Sequence, residues 1–223
     1  MPHGRVRVDR QPGRFEGKKW PQHKGFTRFS VCSGASGIWK TLSPMRLGPV
    51  DLKEVMCDFK KEEDPGYIHY GVEPPEKVTS IENLWQFSKV WESEHDDKKS
   101  VPTRSFYERR LKAWSDKKSR RHSRKGAALL YVTWRNGQRM TYLEARKRIY
   151  CPIYARLVKE TEAFKKLYKM VHEEKKDVLL VGYDGYDREH RSWEECLNDE
   201  TRSFGHEMVL GALLDNEEPW LDK

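Results

Sequence analysis

Glu82, Gln86 and Lys89 place a carboxylate, an amide and an amine at i, i+4 and i+7 in the stretch Ile81 to Trp91. These are the materials of acid–base and amine chemistry, and on a helix of about 100° per residue they fall on one line. Around that line Ile81, Leu84, Trp85, Phe87, Val90 and Trp91 cover most of the circumference. A helix apolar nearly all round is normally buried. Polar groups on such a helix are costly unless they face a cavity, a ligand or one another. The line is therefore the candidate active site. A structural reading competes with it, in which Glu82 closes a Thr79-x-x-Glu82 capping box and Lys89 ends a solvated stripe.

The elements that must position these residues are legible in outline. The capping signal predicts a helix over Ser80 to Glu92. Strands are expected at Phe26 to Val31, Val55 to Phe59, Tyr67 to Val72 and Val178 to Val181. Ala127 to Trp134 reads as a strand or the start of a buried helix, closed by the Asn136-Gly137 turn. Phe106 to Asp116 reads as a short amphipathic helix with Phe106, Arg110 and Trp114 on one face. A second capping box, Thr141-x-x-Glu144, opens a helical stretch to about Val171 that Pro152 must break or kink near Tyr150. Gly182 to Asp187 is a polar, Gly-rich loop after a buried strand, a favoured ligand position that is also an ordinary turn. The last helices run over Ser192 to Asn198 and Phe204 to Leu214, with His206 in the first turn of the latter. The expectation is an α+β chain, mainly helical with a small sheet. It has a basic, structureless arm at 1–25 and one domain at 26–223 carrying a basic insertion around 93–139.

Composition bounds the function. The chain has 223 residues with 36% hydrophobic and 35% charged, yet eight Trp, ten Tyr and eight Phe that need a core. A net charge of +8 favours polyanionic partners. Lys117, Lys118, Arg120, Arg121, Arg124 and Lys125 put six cations in nine residues without an acid. Such a run is either a solvated loop or a phosphate contact, and a bare charge run carries no base specificity. Nucleic acid or a ribonucleoprotein, reached through this run and the N-terminal arm, is the expected partner; a membrane is not, because no apolar run approaches 18 residues. Cys32, Cys57, Cys151 and Cys196 are far apart and read as reduced thiols, which gives no metal site, no cofactor and an intracellular, most simply cytoplasmic, setting.

Three segments together resemble the NADAR family. Glu82-x-x-x-Gln86-x-x-Lys89 is similar to its helix motif, Leu42-Ser43-Pro44 to the loop before that helix, and Phe204 to Leu214 to its closing helix. The strand Val178 to Val181 with Asp184-Gly185 lies where the family has a ligand-facing loop. Trp85 to Val90, Tyr142 to Tyr154 and Leu179 to Asp184 are closer still to a largely phage-encoded group with the same motifs. The resemblance implies an N-glycosidase acting on a ribosyl- or ADP-ribosyl-linked base. On that resemblance Lys89 is the nucleophile that forms a Schiff base, Glu82 the general acid/base and Gln86 an orienting amide. Trp85 would stack on the base, Asp184 bind ribose hydroxyls and Arg110 pair with phosphate, with His206 at the rim. The chain departs from the family at Pro44, at Asp184-Gly185, at His206 and in the insertion from Ser93 to Arg139. The alternative is a non-enzymatic basic subunit of a ribonucleoprotein or other large assembly.

Overall fold

The structure is a computed structural model that describes residues 3–10, 23–55, 60–122, 126–134 and 136–221. It is a mixed helix and strand protein, as the sequence predicts. The chain begins with strands β1 (Val6–Arg10) and β2 (Thr27–Ser30). It continues through β3 (Val50–Asp51), α1 (Leu52–Val55), α2 (Pro65–Tyr70), β4 (Lys77–Val78), α3 (Ile81–Gln86) and β5 (Lys89–Trp91). The hairpin β6 (His95–Asp96) and β7 (Val101–Pro102) leads to α4 (Arg104–Ser115), then β8 (Leu129–Trp134), β9 (Gln138–Met140) and α5 (Tyr142–Ala145). A π-helical turn at Arg146–Tyr150 precedes α6 (Cys151–Lys159), α7 (Glu162–His172), β10 (Val178–Gly182), α8 (Trp193–Asn198) and α9 (His206–Leu214). These elements gather into two compact units, one of Met1–Arg46 with Cys151–Lys223 and one of Leu47–Tyr150.

In the first unit β10 is the central strand, parallel to β1 on one side and β2 on the other. All five β10 residues are buried, which is what a strand covered on both faces demands of the sequence Val-Leu-Leu-Val-Gly. The structureless arm is corrected here: Val6–Arg10 is a strand in register with Val178–Gly182. Val6 and Val8 are buried at alternate positions while Arg5 pairs with Asp177, so the basic residues ride on a β pattern. Residues 1–2 and 11–22 of that expectation lie outside the described residues.

In the second unit β8 is the centre of an antiparallel sheet between β5 and β9, and Asn136-Gly137 makes the expected turn. One expectation fails. Tyr67 to Val72 is not a strand: Asp64 caps α2 by accepting from Gly66 N–H, Pro65 occupies its first turn and Gly71 ends it at φ 65°. Val55 closes α1, and residues 56–59 of the other expected strand are outside the described residues. The break at Pro152 takes the form of the π-helical turn. Proline lacks the N–H and its ring crowds the carbonyl four residues back, and a wider turn relieves both.

Candidate functional site

The central helix is shorter than the sequence suggests, and the difference decides between the two readings of Glu82. Its cap is Ser80, whose hydroxyl accepts from Asn83 N–H, so no capping box holds Glu82. The helix ends at Gln86. Ser88 stops it by donating its hydroxyl to Leu84 O and giving its own carbonyl to Thr133 N–H. Lys89 is then the first residue of β5, opposite Val132.

Leaving the helix does not separate the three residues. Gln86 Nε2 donates to Glu82 Oε1 at 3.0 Å and Lys89 Nζ donates to Gln86 Oε1 at 3.4 Å. The amide is thus a relay between carboxylate and amine. Glu82 is 8% exposed and Lys89 9%. Lys89 Nζ lies 4.7 Å from the centroid of Trp85 and 5.6 Å from that of Tyr142. Trp85 in turn packs on Tyr142 and Tyr150, at 5.5 and 5.1 Å between centroids. Tyr142 and Tyr150 come from α5 and the π-helical turn, so the capping box at Thr141 and the widened turn together aim the aromatic wall of the site. Arg146, 1% exposed, stacks against the same Tyr142 ring at 5.1 Å. Sequence reasoning misses Tyr142, Arg146 and Tyr150 as parts of this cluster. Tyr142 and Arg146 stand at i and i+4 in the stretch that follows the capping box, a spacing that reads only as core.

Arg110 does not belong to the cluster. Its guanidinium nitrogen is 3.0 Å from both oxygens of Asp64, with both side chains buried, and it lies 4.6 and 4.7 Å from the rings of Tyr107 and Trp114. The expected phosphate partner is therefore half of a structural ion pair between α4 and the start of α2. The same burial pushes the Tyr107 phenol far above its ordinary range.

Asp184 and His206 lie in the first unit, at the carboxyl end of β10 and the start of α9. Asp184 is exposed, and its N–H donates to Glu207 Oε1 at 2.8 Å. His206 Nε2 donates to Val31 O at 2.9 Å, and its Nδ1 is 3.1 Å from Glu207 Oε2. Glu207, fully buried and unnoticed in the sequence, is the residue that organises this end. It is legible as the single acid in the apolar run His206–Leu214. A Cβ on Gly182 or Gly205 would fall 2.2 or 2.4 Å from its oxygens, so both glycines exist to admit the carboxylate. Burial is also the main reason the nearby Cys32 thiol is pushed up.

Glu207 Oε2 makes no hydrogen bond. In the tautomer that gives Nε2–H to Val31 O, His206 Nδ1 is an acceptor, so its 3.1 Å approach to Oε2 sets acceptor against acceptor and makes no hydrogen bond. An amide fits better here. Gln at position 207 would accept from Asp184 N–H with its oxygen and donate to His206 Nδ1 with its nitrogen, leaving His206 Nε2–H on Val31. Glu207→Gln is expected to match or raise the urea midpoint, and Glu207→Ala to lower stability by roughly 1–3 kcal/mol through the orphaned Asp184 N–H. A Gln variant less stable than the Ala variant would show that this hydrogen-bond pattern is wrong.

Lys117, Lys118, Arg120 and Arg121 are exposed after the end of α4, and Arg124 and Lys125 lie outside the described residues. Leu42 and Ser43, the loop of the expected motif, belong to the first unit, where Leu42 O accepts from the Tyr154 hydroxyl at 2.5 Å. Cys32, Cys151 and Cys196 are buried and not joined in a disulfide. Among the described residues no cluster of His, Cys, Asp or Glu could hold a metal, and no helix is long and apolar enough to cross a membrane.

The class defined by these features is a mixed α and β protein with a buried lysine–amide–carboxylate relay. The chain belongs to a family of unknown function, DUF6939, whose profile matches residues 64–192. That span contains the relay, its aromatic wall and the exposed basic run. No curated protein and no solved structure matches the chain.

Proposed function

We propose that the chain is a NADAR-like N-glycosidase that releases a base from a ribosyl or ADP-ribosyl group through Lys89 and Glu82. The observation that carries this reading is the relay Lys89–Gln86–Glu82, its two reacting ends buried, with Lys89 held against Trp85 and Tyr142. Breaking an N-glycosidic bond builds positive character at the anomeric carbon and requires a proton on the departing nitrogen. In the proposed reaction the Lys89 amine attacks the anomeric carbon and the bond to the base breaks. Glu82 supplies the proton to the leaving nitrogen. The sugar ring opens to leave a Schiff base on Lys89, and water hydrolyses it. Desolvation is what allows a lysine to serve as a nucleophile near neutral pH. Trp85, packed on Tyr142 and Tyr150, is the wall against which Lys89 is held, and Gln86 fixes the distance between the two reacting side chains.

Borohydride trapping tests this directly. Wild type incubated with an ADP-ribosylated guanine DNA or a ribosylamino-pyrimidine, then reduced, is expected to gain one sugar-sized mass increment that Lys89→Ala lacks. No adduct and no free base with either substrate would remove the glycosidase. The remaining reading would then be the non-enzymatic basic subunit, which the exposed Lys117, Lys118, Arg120 and Arg121 favour.

A further inference from the structure

The charge of the second unit is segregated along the chain. Residues 47–97 hold five Lys or Arg against thirteen Asp or Glu, whereas residues 98–150 hold seventeen against three. Part of the excess is internal: Arg110 is neutralised by Asp64, and Arg109 by Glu94. Among the described residues the most densely basic stretch, 117–121, is displayed, and it is not a loose loop.

Residues 116–122 form a strap laid across α3. Asn83, fully buried, holds its backbone: Oδ1 accepts from Arg120 N–H at 2.7 Å, and Nδ2 lies within hydrogen-bond distance of the carbonyls of Ala113, Asp116 and Lys118. The hydroxyls of Ser80 and Ser119 meet at 3.0 Å. At the far end His122 is buried, stacks on Phe87 at 4.8 Å and donates Nε2–H to Glu94 Oε2 at 2.9 Å. Glu94, 1% exposed, also receives Arg109. Between these anchors Lys117, Lys118, Arg120 and Arg121 are exposed, and Arg120 pairs with Asp116 at 2.6 Å. Anchors at both ends and along the backbone are more order than a solvated loop requires. Fixing the backbone in advance removes the ordering cost that a free basic tail incurs on binding.

We propose that this strap is a preorganised site for the sugar–phosphate backbone of nucleic acid. A group of cations on a segment that is neither helix nor strand, with nothing to enter a groove, reads phosphates and not base edges. Its occupant is therefore bound without sequence preference and with strong salt dependence. Binding at the strap does not require the Lys89 chemistry.

The test is fluorescence anisotropy of the full chain with a labelled single-stranded RNA and the DNA of the same sequence across a salt series. Either strand binding would support the site, and the pair would show which sugar it accepts. Lys117→Glu/Lys118→Glu/Arg121→Glu is expected to weaken binding by roughly tenfold or more and to reduce the slope of log K against log salt by about two, at about 0.7 per lost phosphate contact. His122→Ala keeps every cation but frees one end of the strap; it is expected to weaken binding several-fold with the slope unchanged. Lys89→Ala is expected to bind as wild type, so failure of the glycosidase and failure of the strap are separable. Thermal melts establish that each variant is folded. No binding at low salt, a charge-reversal variant that binds normally, or equal affinity for phosphatidylserine vesicles would overturn the proposal. A His122→Ala variant indistinguishable from wild type would overturn the preorganisation.

Discussion

Asp64→Ala is expected to cost about 3–5 kcal/mol of unfolding free energy, the range for removing one partner of a buried ion pair. The size follows from what is left behind. Arg110 is 5% exposed, its guanidinium meets both Asp64 oxygens at 3.0 Å, and the surrounding surfaces are the rings of Phe106, Tyr107 and Trp114. Those rings favour a cation but supply no hydrogen-bond acceptor in the plane of the fork. Asp64 has a second duty, since Oδ1 also accepts Gly66 N–H at the start of α2, and loss of such a cap adds about 1 kcal/mol. Arg110→Met is expected to cost less than Asp64→Ala, because the remaining carboxylate keeps the Gly66 N–H. Asp64→Ala/Arg110→Met should recover much of the single-variant loss, because an apolar replacement of both partners leaves no buried charge. Urea unfolding of the four proteins closes the cycle. Additive losses would mean that the pair is not the unit this geometry makes it.

That ion pair also marks where the sequence stops being informative. Helical periodicity correctly places Phe106, Arg110 and Trp114 on one face, but the partner that defines Arg110 lies 46 residues earlier. No local pattern announces it, and an arginine among aromatics reads equally well as a ligand contact. Other misses are local and avoidable. Asp64-Pro65 with Gly71 carries an N-cap, a first-turn proline and a left-handed C-cap within a short segment, yet the Tyr67-Ile68 pair suggests a strand. Val6 and Val8 alternate with charged residues in a segment whose overall basicity suggests an arm. The candidate site is the instructive case. Helical periodicity picks out its members, but the helix ends at Gln86 and Lys89 lies on a strand. The i+7 spacing is therefore right for a reason that does not operate here. Lys89 returns to Gln86 because Ser88 turns the chain back onto β8. The capping boxes at Thr141 and Ser192 are legible as written, since each is completed within three residues.

Glu82→Gln separates the two chemical duties of the proposed site. The amide oxygen introduced at position 82 can still accept from Gln86 Nε2, so the relay that holds Lys89 should keep its geometry. What is lost is the proton. Removing a general acid typically lowers the rate by about 10²–10⁴. In a single-turnover assay the variant is expected to show that loss on a substrate whose leaving base departs as an anion unless protonated. With a ring-alkylated base, which already carries positive charge and leaves without a proton, most of the loss should vanish. Lys89→Ala should be deficient on both substrates in forming the trapped adduct, because the covalent step needs the amine whatever the leaving group. An equal penalty for Glu82→Gln on both substrates would show that Glu82 does not protonate the leaving group. Glu82 would then act by stabilising positive charge at the anomeric carbon, and the acid would have to be sought elsewhere in the second unit.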